Sequence, residues 1–117
     1  MPEPDFFIRT LDTASVISDT LKDSTGAAVS IQGATVRFHM AHISGAGTPV
    51  LDATASNDQV GDGSDGTKGK VSYAWAAGNT ALEGLYLGEW QVTYGGGAIQ
   101  TFPNDSYILI RITPEVA

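Results

Sequence analysis

Two histidines three residues apart, His39 and His42, and three aspartates in one glycine-rich stretch, Asp58, Asp62 and Asp65, are the side chains best suited to bind a metal. On a helix the histidines would share a face. The segment around them alternates apolar and polar residues from Val36 to Met40. Side chains of a strand alternate with period two, so His39 and His42 project to opposite faces. The spacing gives two separate, exposed or half-exposed histidines. The aspartates form a weak calcium candidate, because carboxylates and backbone carbonyls in one loop supply the oxygens that Ca²⁺ takes. They lack the ordered ligand spacing and terminal Glu of an EF-hand loop, and such acidic glycine loops are more often solvated turns.

The same loop contains Gly61-Asp62-Gly63-Ser64-Asp65-Gly66, a literal G-x-G-x-x-G. A dinucleotide site needs that pattern between a strand and a helix whose N-terminus receives the pyrophosphate. Here it leads into a strand at Lys70–Trp75, and two aspartates would face the phosphate oxygens. The pattern is rejected as a nucleotide site. There is no cysteine, so neither a disulfide nor a thiolate zinc site is available, and no G-x-S-x-G nucleophile elbow occurs. The acidic residues sit mostly in turns, where a raised pKa is not expected. The expectation is a non-enzymatic chain with no catalytic residue, no cofactor and no metal beyond that weak candidate.

Tyr73, Trp75, Tyr86, Trp90 and Tyr94 are the remaining set with chemical promise. Laid flat on an exposed sheet, these rings would stack on sugars. They share strand faces with Val71 and Val92, however, which places them in a core, with Tyr hydroxyls and indole nitrogens reaching its rim.

The elements that must carry these residues are strands. Phe6, Ile8 and Thr10 face one way and Phe7, Arg9 and Leu11 the other. Val16–Lys22 is a weak second strand, followed by a turn at Asp23-Ser24-Thr25-Gly26. Val36, Phe38 and Met40 form one inward set, Val71, Tyr73 and Trp75 another, and Ile108, Ile110 and Ile112 a last one. Gly95-Gly96-Gly97 is a hairpin, and Pro103-Asn104-Asp105 a turn. Ala76–Leu82 is a short crossing between sheets. Asn57–Gly69 is the longest polar connection, expected to be flexible. No segment keeps a helical period. Seven to eight short strands separated by turn signals predict an all-β, immunoglobulin-like antiparallel β-sandwich. It is a single domain over 1–117, with an extended N-terminal arm at 1–5.

The chain has 117 residues and a formal charge of −7. That charge repels phosphate backbones, so nucleic acid is not an expected partner. No apolar run approaches the roughly 18 residues of a membrane span, and the Met-Pro-Glu-Pro-Asp start does not read as a signal peptide. Synthesis in a cytoplasm without export or membrane insertion is the expectation. Asn104-Asp105-Ser106 is formally a glycosylation sequon, read as a turn in that setting.

Several segments together resemble the immunoglobulin-like N-terminal domain of phage upper baseplate proteins, which also occurs in small stand-alone virion proteins. They are Leu21–Val29 with its D-x-x-G turn, Ile31–Met40, Gly69–Trp75, Gly84–Val92 and the Thr101–Asp105 F-P-N turn. Each is a weak strand-and-turn pattern alone; their order and spacing carry the likeness, from about Phe6 to Thr113. The resemblance implies a structural role in a tailed-phage particle and transfers no functional residue. With the chain ending at Ala117, it implies a small accessory rather than a fibre-bearing adaptor. Expected partners are other phage structural proteins (major capsid, head–tail or tail hub protein), with homo-oligomerisation on the particle as a further expectation. The virion is the expected location. The arm, the Gly-rich loops and an edge strand are the expected contacts, with Phe7 the first residue to test. A carbohydrate-binding module for host attachment is the alternative, and it would need an exposed aromatic strip or an ordered calcium.

Overall fold

A computed structural model describes residues 5–45, 50–76, 78–103, 106–114 and 116. Most of the N-terminal arm, part of the Ser44–Pro49 loop and the Asn104–Asp105 turn with its sequon lie outside the described residues. Among the described residues the chain is all-β, with eight strands: β1 (Phe6–Arg9), β2 (Val16–Thr20), β3 (Thr35–His42), β4 (Leu51–Asn57), β5 (Lys70–Ala74), β6 (Gly84–Thr93), β7 (Ile99–Phe102) and β8 (Ile108–Thr113).

The strands hydrogen-bond in the order β1-β8-β6-β3-β4-β5-β2, with β7 beside the remainder of β6. The expectation of an antiparallel fold is corrected at one pair: β1 runs parallel to β8, Phe6 opposite Ile110 and Arg9 opposite Thr113. Asp5 starts that pairing. Its N–H donates to the Leu109 carbonyl at 2.7 Å, and its carboxylate accepts from the Leu109 N–H at 2.8 Å. Asp5 therefore belongs to the paired structure rather than to a free arm.

β4 makes the corner. Leu51–Ala55 pair with β3, whereas Ser56 and Asn57 pair with β5. The sheet thus folds over on itself into a larger layer (β1, β8 with β7, β6, β3, most of β4) and a smaller one (the end of β4, β5, β2). Its two end strands, β1 and β2, do not pair, so the barrel is nearly closed.

Period-two burial drives this folding, because each alternating strand must cover one apolar face. Val36, Phe38, Met40, Val71, Tyr73, Trp75, Tyr86, Trp90, Val92 and the isoleucines of β8 are all buried together, as their parity predicts. Phe38 on β3 packs across the layers on Tyr73 (ring centroids 5.4 Å), Trp75 (5.8 Å) and beside it Trp90 (4.8 Å). Gly88 makes room for that cluster. A Cβ there would stand 2.8 Å from Ile110 Cδ1 and 3.2 Å from Phe38 Cζ.

One core expectation is corrected. The indole nitrogen of Trp75 does not reach the rim: it is buried with no hydrogen-bond partner. Phe6 on β1 lies against this ring, centroids 5.8 Å apart.

Candidate functional site

The two histidines stand on opposite faces of β3. His39 projects outward and lies between two carboxylates, Nδ1 3.1 Å from Glu89 Oε2 and Nε2 3.2 Å from Asp52 Oδ1. Both contacts are hydrogen bonds at once only when both ring nitrogens carry protons. Arg37 completes the group, its Nε 2.7 Å from Asp52 Oδ1, and that bond holds the Asp52 carboxyl below the usual range. His42 instead packs edge-on against Tyr86 and bonds Ser44.

The aspartates of the calcium candidate are not brought together. Asp58 accepts from Ser56 Oγ, Asp62 from the Ser64 N–H, and Asp65 from the Thr67 N–H and hydroxyl. Each carboxylate closes its own two-residue turn. The Ser64 N–H lowers the Asp62 pKa. No group of three His, Asp or Glu among the described residues is arranged to hold a metal.

The Asn57–Gly69 connection, expected to be flexible, is laced by two amide side chains. Gln59 Oε1 accepts from the Ile31 and Gly69 N–H groups at 2.8 and 3.0 Å, while its Nε2 donates to Ser30 and Gly61. Asn57 Nδ2 donates to the Ile31 and Ala34 carbonyls. Gly63 has φ +78°, and a Cβ there would meet Lys68 backbone at 2.5 Å. These contacts tie the loop to the segment before β3. They are structural, and isolated Gln and Asn carry no sequence signal for them.

The aromatic set gives no sugar platform. Tyr73, Trp75, Tyr86 and Trp90 are each at most 7% exposed. Burial raises the phenol pKa of Tyr73, Tyr86 and Tyr94, whose hydroxyls bond Asn79, Leu82 and Gln100. Trp90 Nε1 donates across the layers to Asp19 Oδ2 at 3.2 Å, joining β6 to β2.

What sequence reasoning passed over is the outer face of the larger layer. Leu87 stands opposite Leu109 on β8 and Ala41 on β3. Leu85 stands opposite Arg111, which in turn faces Phe7 on β1. Phe7 is 60% exposed, while Leu109 on that same face is 8% exposed. Ala41, Leu87 and Leu109 therefore form an apolar row across β3, β6 and β8 on the side that period two would make polar, with Phe7 on β1 beyond Arg111. Every arginine of the chain, Arg9, Arg37 and Arg111, projects from this face; the lysines lie elsewhere. The signal was present in the parity of Leu85, Leu87 and Leu109, which share the non-core face of their strands.

Neither a family model nor a curated protein nor a solved structure matches this chain.

Proposed function

We propose that this protein is a non-enzymatic tailed-phage virion component, an immunoglobulin-like module that docks on the particle surface. In this reading the two layers are the sheets of the sandwich, and β7 and β8 are one final strand interrupted at Pro103. The segments that resemble the upper baseplate domain supply the phage assignment; they coincide with strands and turns that build the core, consistent with a fold signature.

The observation that carries docking is the outer face of the larger layer. Its apolar end, Leu85, Leu87 and Phe7 beside Arg111, has the composition of interface centres, where aromatic residues and Arg are enriched and Lys is depleted. Asp52, His39 and Glu89 make the rest of the face polar, as an interface rim is. Phe7 lies at the margin of that face. Many copies on a symmetric particle would let one modest contact act repeatedly. Partners are then other structural proteins of the particle, on head, tail or baseplate. Mass spectrometry of density-purified virions of the encoding phage tests the assignment. The protein is expected among the particle components; its absence would end the proposal.

A further inference from the structure

We propose that the free edge of β2 is a second docking site, taking an extended, lysine- or arginine-bearing strand of a partner protein. It is separate from the outer-face contact, since β2 lies in the smaller layer.

Among the described residues β2 is an end strand, unpaired on one side, and ladder parity shows which of its groups face that side. The Leu21 N–H donates to the Gly69 carbonyl, and the Lys70 carbonyl accepts from Asp58 on the far side of β5. Thr20 is opposite Lys70 in the antiparallel register. N–H and C=O groups alternate between the two sides of a strand. Ile17 and Asp19 therefore face β5, and the backbone groups of Val16, Ser18 and Thr20 point away from it. The Thr20 N–H is already taken, by the Asp19 carboxylate at 2.8 Å. Val16 and Ser18 are left to offer donors and acceptors in strand spacing. Natural edges are often blunted by lysine, proline or an inward-pointing charge. β2 carries no lysine or proline, and its charged residue, Asp19, points inward to Trp90.

There is also room beside it. A cleft of about 330 Å³ separates β2 from the start of β1 and β8, lined by Phe6, Ile17, Asp19, Pro103 and Tyr107. Past Asp19 and Pro103 a second cleft, again about 330 Å³, continues along Leu21 and Phe102 to Asp23. An added strand would fill the gap that keeps the barrel from closing. Its polar groups would continue the sheet, and its alternate side chains would enter the clefts.

Charge selects the occupant. Among the described residues Asp5, Asp19 and Asp23 border the two clefts with Lys22, and Lys70 reaches Thr20 from β5. Acidic groups are thus in excess along the edge, on a chain of net charge −7. An acidic strand, including one from a second copy of this chain, meets like charge there, whereas a basic strand is attracted.

The test uses a capped peptide of about ten residues alternating valine and lysine, a length typical of strands, followed by amide hydrogen exchange. The Ser18 amide is expected to exchange about tenfold more slowly with peptide bound, and the Trp90 indole N–H resonance to move because Asp19 adjoins the added strand. The valine–glutamate peptide should bind at least about tenfold more weakly. Ser18→Pro removes an N–H that β5 does not use, so it should keep the melting temperature and abolish binding. Should that variant fail to fold, a valine–lysine peptide with proline at alternate positions gives the same readout on the unmodified protein, and it should not bind. Leu87→Asp should leave peptide binding unchanged, which separates this site from the outer face. Equal binding of the acidic peptide, of the proline peptide or to folded Ser18→Pro would overturn the proposal. Ser18 protection that rises with protein concentration alone, marking a second copy on the edge, would overturn it too.

Discussion

The two outer faces of this folded sheet follow different rules. On the smaller layer, Ser18, Thr20, Lys70, Ser72 and Ser56 face outward between buried Ile17, Val71 and Tyr73, the clean alternation of a sheet with one side in water. On the larger layer the same alternation puts Leu85, Leu87, Leu109 and Phe7 on the non-core face beside Arg111, with Arg37, His39, Asp52 and Glu89 making the other end of that face polar. Both layers share one aromatic core, so folding alone does not require apolar residues on that second surface. Leu109 is 8% exposed, so its neighbours cover part of that surface, and the proposed docking would account for the exposed remainder.

The largest expected effect removes what the two layers have in common. Trp90→Ala takes out a fully buried ring and should cost about 3–5 kcal/mol. Because Trp90 also reaches Asp19 on β2, both layers should melt in one calorimetric transition; two separate transitions would show that the faces belong to independent units.

Next is Gln59→Ala. It strands the Ile31 and Gly69 N–H groups, a loss of about 1–3 kcal/mol by denaturant unfolding. Amide exchange should quicken across 59–69 and leave the outer face of β6 unchanged.

Substitutions at equivalent outward positions give the sharpest contrast for a smaller change in stability. Leu87→Ser and Ser72→Ala should each shift stability by less than about 1 kcal/mol. Only Leu87→Ser should weaken association with the particle, by about tenfold or more. Equal effects on association would erase the distinction between the faces.

The smallest effect is electrostatic. Arg37 lowers the Asp52 pKa on the larger layer, and bonds from Thr25 lower that of Asp23. A depressed carboxylate contributes stability above its unfolded pKa and loses that contribution as pH falls through the folded value. Stability should therefore decline from about pH 4 towards pH 2. Asp52→Asn should flatten that decline in acid titrations followed by tryptophan fluorescence. The tyrosines act at the other end: their raised pKa favours the folded state until pH rises past about 10.

Much of the core was legible in the sequence, because strand parity is a local property. Val36, Phe38 and Met40, or Ile108, Ile110 and Ile112, needed only period two. The rest depends on contacts distant in sequence. Parallel pairing of β1 with β8 rests on Asp5 meeting Leu109, and nothing within either segment announces it. The corner in β4 lies between Ala55 and Ser56, in a run with no Gly or Pro to mark it. The Asp19–Trp90 bond joins strands 71 residues apart. Leu85 and Leu87 were readable as outward-facing, because they alternate with buried Tyr86 and Trp90. Phe7 was legible as facing away from Phe6 and Ile8, and it is 60% exposed; that it shares a face with Leu109 and Arg111 required the register.

The most direct test is the abundance of the doubly substituted Phe7→Asp, Leu87→Asp protein in purified virions, measured by quantitative mass spectrometry against the unsubstituted protein. Its melting temperature would be checked to confirm folding. If the outer face of the larger layer is the docking surface, the folded variant should fall by about tenfold or more on the particle. Undiminished abundance of a folded variant would contradict that assignment.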